Sequence, residues 1–102
     1  MANTESDHKV VASLDTAGST SAVTVRGARL VDIGVNIGSG VTIDLEGEYE
    51  VGASNAKDWF VIESYTVDTF KVMRFASTRR VRLTLSAGSA TTLVELTAGN
   101  KE

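Results

Sequence analysis

Asp44, Glu46, Glu48 and Glu50 occupy alternate positions of one short stretch. On an extended strand such residues point the same way, about 6 to 7 Å apart. A row of four carboxylates suggests two chemistries. One is binding of a hard cation such as Ca²⁺, which takes six to eight oxygens, although the compact loop of a calcium site is missing here. The other is glycoside hydrolysis, which needs two carboxyls about 5 to 9.5 Å apart in a cleft, and nothing in the sequence suggests a cleft or a raised pKa. The plain alternative is a solvated or ion-paired strand face. A basic stretch matches the acidic one: Lys71, Arg74, Arg79, Arg80 and Arg82, with no acid between positions 69 and 94. Arginine clusters serve nucleic acids, but 10 basic against 13 acidic residues leave a charge of −3. No aromatics alternate with these arginines, and phosphate binding rests on a dominant positive field. Nucleic acid is therefore not an expected partner. Stripes of opposite sign fit pairing instead, either across strands of one chain or head to tail between subunits, as rings and lattices close. Asp44, Glu46, Glu48, Glu50, Arg74, Arg79, Arg80 and Arg82 are the candidate interface residues.

Trp59, Phe60, Tyr65, Phe70, Phe75 and Tyr49 are all the aromatics of the chain. Exposed Trp and Tyr stack on sugar rings, which makes Trp59 and Tyr65 the residues of a carbohydrate- or receptor-binding alternative. Clustered in a small domain, aromatics more often form its core. His8, the single histidine, stands in a polar lead without a partner in the sequence. With no cysteine, the chain has no disulfide framework, thiolate nucleophile or cysteine-ligated metal. One histidine excludes a multi-histidine metal cluster within one chain. Nucleophile-elbow, phosphate-loop and dinucleotide fingerprints are absent. No catalytic residue, cofactor or metal is expected. No apolar run approaches 18 residues, so no bilayer span is expected, and the N-terminus lacks the apolar core of a signal peptide.

The elements that position these side chains are strands. Val (13), Thr (12) and Ile (4) give 29 β-branched residues among 102, and such side chains suit a pleated surface better than a helix. Residues 1–8 read as a flexible N-terminal arm, 9–98 as one domain and 99–102 as a polar tail. Lys9–Leu14 forms a short strand, closed by a turn-rich segment at 15–20. Ser21–Arg26 and Arg29–Ile37 alternate with period 2. Gly38-Ser-Gly40 has the chemistry of a hairpin turn. Val41–Val51 is the cleanest strand, with Gly47 as its expected bulge or kink. A polar loop at 52–58 leads to Trp59–Val67, apolar on both faces at first and so expected to be central or buried at an interface. Asp68-Thr69 connects it tightly to Phe70–Ala76. Arg79–Ser86 and Thr91–Ala98 close the chain through a turn at 87–90. About eight short strands at this spacing predict an all-β, antiparallel β-sandwich, Ig-like or jelly-roll-like.

Several parts in order carry a resemblance: Val41-Thr-Ile-Asp-Leu-Glu46, then Asp58-Trp-Phe-Val-Ile62, then Glu63-Ser-Tyr-Thr-Val-Asp-Thr-Phe-Lys-Val72, then Arg79-Arg-Val-Arg-Leu-Thr-Leu85 and its closing strand. From Val41 to Ala98 the chain resembles small β-sandwich structural proteins of tailed bacteriophage virions. The resemblance implies a head decoration or cement protein, a head-fibre base, or a tail or neck module, assembled in the host cytoplasm and located in the virion. It also implies a homo-oligomer, most often a trimer, laid against the major capsid protein or another virion surface. No family catalytic residues carry over. One departure is the loop before the tryptophan, Gly52-Ala-Ser-Asn-Ala-Lys-Asp58, where related sequences have a Gly-rich, Asp-Gly-containing loop.

Overall fold

A computed structural model describes residues 9–25, 30–49, 59–75 and 78–99, apart from the side chains of Tyr49 and Arg79. The expected arm at 1–8, the loop at 52–58, Glu50 and the tail beyond Gly99 lie outside the described residues. The alternating segments form β1 (Lys9–Leu14), β2 (Gly18–Ser19), β3 (Val23–Thr24), β4 (Val31–Asn36), β5 (Thr42–Tyr49), β6 (Trp59–Tyr65), β7 (Thr69–Met73), β8 (Thr78–Ala87) and β9 (Thr92–Ala98). Every pairing is antiparallel. One sheet has the order β1-β9-β4-β7; the other runs β2-β8-β5-β6, with β3 also on β8. The chain is an all-β sandwich, as its composition predicts.

The core lies between the sheets. Val31, Ile33 and Val35 of β4 and Val94 and Leu96 of β9 face Ile43 and Leu45 of β5 and Val81, Leu83 and Leu85 of β8, all buried. Each such side chain contributes about 1.5 to 3 kcal/mol of transfer free energy.

Several expectations change. Gly38-Ser-Gly40 closes no hairpin, because β4 and β5 belong to different sheets. Its turn, held by Val41 N–H donating to the Gly38 carbonyl at 3.2 Å, carries the chain across the sandwich. The Asp68 connection crosses likewise, and Asp68 Oδ1 accepts the Ile37 N–H at 2.8 Å. The irregularities lie on the neighbouring strands, not at Gly47: the register skips Ile62 on β6 and Arg79 on β8 to either side of it, and Ser86 on β8 farther off, opposite Thr42 and Ile43. Gly47 instead faces inward where a Cβ would stand 2.9 Å from Ile62 Cδ1 and 3.1 Å from Phe60 Cζ, so its missing side chain makes room for theirs. Finally, β6 is an edge strand, not a central one. Its inner face carries Phe60, Ile62 and Tyr65, and its outer Trp59 is covered by arginines. Gly18–Ser19, read as turn, pairs with Leu85 and Thr84, too short a piece to show a period.

Candidate functional site: two unlike outer faces

The registers stack the charged stripes side by side. On the outer face of the five-stranded sheet the rows are Arg80–Glu48–Trp59, Arg82–Glu46–Val61 and Thr84–Asp44–Ser64. Arg80 grips Glu48 with two bonds, Nε to Oε1 at 2.7 Å and Nη2 to Oε2 at 3.0 Å. Glu48 is only 1 % exposed. Hydrogen bonding to that carboxylate holds the Arg80 guanidinium above its ordinary pKa. Arg82 Nε donates to Glu46 Oε1 at 2.7 Å, and the Thr84 hydroxyl donates to the same oxygen at 2.9 Å. Ser64 donates to Asp44 at 2.7 Å. The Arg82 guanidinium carbon lies 4.1 Å from the Trp59 ring centre, and that of Arg80 5.9 Å, both within cation–π range.

Asp44, Glu46, Glu48, Arg80 and Arg82 are thus brought together, each with a partner inside the chain. Arg74 lies outside the ladder, exposed after β7. Chemically the arrangement is a hydrogen-bonded face on which two arginines pair with Glu46 and Glu48 while Asp44 is held by a hydroxyl. Among the described residues no group of three His, Cys, Asp or Glu side chains is placed to hold a metal ion.

A second polar cluster closes the side of the sandwich where the edge strands β6 and β7 meet. Glu63 stands opposite Leu45 and Lys71 opposite Ile33, so both point inward. Lys71 Nζ donates to Glu63 at 2.9 and 3.1 Å, and the Tyr65 hydroxyl donates to Glu63 Oε1 at 2.8 Å. The Lys71 bond, then the Tyr65 bond, lowers the Glu63 pKa below its ordinary 4.5. Burial, reinforced by Glu63, pushes the Tyr65 phenol well above its usual range. A depressed carboxyl pKa stabilises the fold at pH values above the unfolded pKa, and that contribution disappears as pH falls through the folded value. The gap in urea midpoint between the native chain and Glu63→Gln should therefore be widest near neutral pH and narrow as pH falls below the ordinary 4.5. A gap unchanged by pH would contradict this assignment.

The outer face of the four-stranded sheet is richer in exposed apolar side chains, set among Lys9, Asp32 and Glu95. Its rows are Ser13–Leu93–Asn36, Val11–Glu95–Gly34–Phe70 and Lys9–Thr97–Asp32–Val72. Val11 is 68 % exposed and Phe70 69 %, with Val72 and Leu93 also open. Phe70 leans over Gly34, where a Cβ would lie 3.5 Å from its Cδ1. Beside it is a depression of about 390 Å³ lined by Val11, Gly34, Leu93, Phe70 and Glu95. Four large apolar side chains, Val11, Phe70, Val72 and Leu93, are thus open to solvent on this one face.

Sequence reasoning missed this face because it assigned Phe70 to the core. The signals were present in β1 and β9, where apolar neighbours at Val10-Val11 and Leu93-Val94 mean that both faces are apolar. Tyr65 is buried as expected. Trp59, Phe60 and Phe75 are half-buried, and Tyr49's side chain lies outside the described residues. Compared with known proteins, the chain matches no family model, no curated protein and no solved structure.

Proposed function

We propose that this chain is a non-enzymatic assembly protein, a structural component of a tailed-phage virion that joins copies of itself and lies against a larger virion protein surface. The observation that carries the reading is the contrast between the two outer faces. One has its charges satisfied within the chain; the other leaves Val11, Phe70, Val72 and Leu93 in water. Burial of such side chains against a flat protein surface gains about 25 cal/mol per Å². The sequence resemblance from Val41 to Ala98 points to a virion as that surface. The opposed stripes support the reading less than their charge suggests, because Glu46 and Glu48 already hold Arg82 and Arg80.

Glycan binding through Trp59 and Tyr65 has less support. Tyr65 is buried with its hydroxyl on Glu63, and Arg82 stacks on Trp59. Quantitative mass spectrometry of gradient-purified virions encoding this chain tests the proposal. The chain should appear at a fixed ratio to the major shell protein; presence in infected cells but not in particles would refute it.

A further inference from the structure

We infer that two copies of this chain join through β1, pairing their first strands antiparallel about a two-fold axis at Val11. A sheet edge offers unpaired backbone N–H and C=O groups, and proteins guard such edges with short strands, bulges or inward-pointing charges. Among the described residues, three of the four sheet edges are guarded. On β7 Lys71 points inward; on β6 Glu63 does so and the register skips Ile62. The far edge of the five-stranded sheet is divided into the dipeptides β2 and β3. The edge formed by β1 is different. It runs six residues, pairs with β9 without a register shift, carries its one charge at its first residue, Lys9, and turns Val10, Ala12 and Leu14 inward. The chain contains no proline. Among the described residues no backbone hydrogen bond covers its outer side.

The guards also select the occupant. A β1 edge meeting β6 or β7 of another copy would meet an inward charge, so the compatible edge of a second copy is its own β1. Opposed residues of an antiparallel pair share a face, so the two-fold axis sets one residue opposite its own copy and does not fall between unlike neighbours. An axis at Val11 sets the exposed Val11 against the partner's Val11, a cross-strand β-branched pair. Lys9 then falls opposite the partner's Ser13, so no like charges meet. The two four-stranded sheets become one of eight strands, and their apolar outer faces run on as a single surface. This pairing deepens the assembly reading by naming one of its contacts, and an isologous contact closes at two copies.

The chain has no cysteine, so Val11→Cys gives a clean probe in the full-length protein. Under mild oxidation it should form a disulfide-linked dimer on a non-reducing gel, whereas Val61→Cys, exposed on the other sheet, should not. In sedimentation velocity the native chain should be dimeric, and Val11→Lys should weaken the dimer by about tenfold or more through like charges at the axis. Val61→Lys and Phe70→Ser should keep the dimer. A native monomer, a trimer that persists in Val11→Lys, or cross-linking equal at positions 11 and 61 would overturn the inference. Absence from virions with an intact dimer would instead overturn only the proposed virion role.

Discussion

Gly88→Ala is expected to lower stability by about 3 to 5 kcal/mol, against about 1 to 2 for Gly40→Ala. Both glycines have a left-handed backbone, with φ of +88° and +74°, so both substitutions carry a conformational cost. Only one meets an obstacle. A Cβ on Gly88 would clash with the Gly40 carbonyl oxygen and stand 2.9 Å from Val41 Cα, whereas a Cβ on Gly40 meets nothing within 4 Å. The obstacle is backbone and it is tied in place. Val41 N–H bonds the Gly38 carbonyl, Gly38 N–H donates to the Thr92 hydroxyl at 2.9 Å, and that hydroxyl donates to the Ala90 carbonyl at 3.2 Å. Two turns that each cross between the sheets are packed here backbone on backbone. Against a typical stability of about 5 to 15 kcal/mol, the loss is a large share. Urea unfolding of the two variants measures it; equal midpoints would mean that the close approach of the turns is not a constraint.

Arg80→Leu should cost about 3 kcal/mol, because it strips two charged hydrogen bonds from a carboxylate removed from water. Glu48 is 1 % exposed, and Arg80's own side chain is 36 % exposed, which keeps the figure at the lower end. Arg82→Leu should cost about half as much. Its carboxylate, Glu46, is 15 % exposed and retains the Thr84 hydroxyl. Replacing both members, Glu48→Leu with Arg80→Leu, should restore much of the loss, since an apolar pair leaves no buried charge behind. The double-mutant cycle in urea gives the coupling directly. An Arg80→Leu loss no larger than that of Arg82→Leu would contradict the buried character of the Glu48 pair.

Local pattern carried much of this fold. The bounds of β1 follow from Lys9–Leu14 as read, and the alternation of Val31, Ile33 and Val35 marks the inward face of β4. The charge stripes were legible as alternate residues on two strands. Their adjacency was not, because the pairing of Glu46 with Arg82 depends on β5 and β8 meeting across 36 positions of chain. Turn chemistry at Gly38-Ser-Gly40 says that the chain reverses, but not whether it returns in the same sheet. The inversion in β7 was hidden for a similar reason. Period 2 alone puts Phe70 and Val72 inside and Lys71 outside, yet at this edge Lys71 reaches across to Glu63 while Phe70 covers Gly34. A charge turned inward at an edge is legible only once its partner on the other sheet is known.

The proposed assembly role is tested most directly by a cryo-EM map of phage particles whose genome encodes this chain. The map should show the sandwich repeated over the particle, with the outer face bearing Phe70 and Leu93 against the underlying protein and the Arg80–Glu48 ladder turned away. Particles without the sandwich, or with that apolar face bare to solvent in every copy, would contradict it.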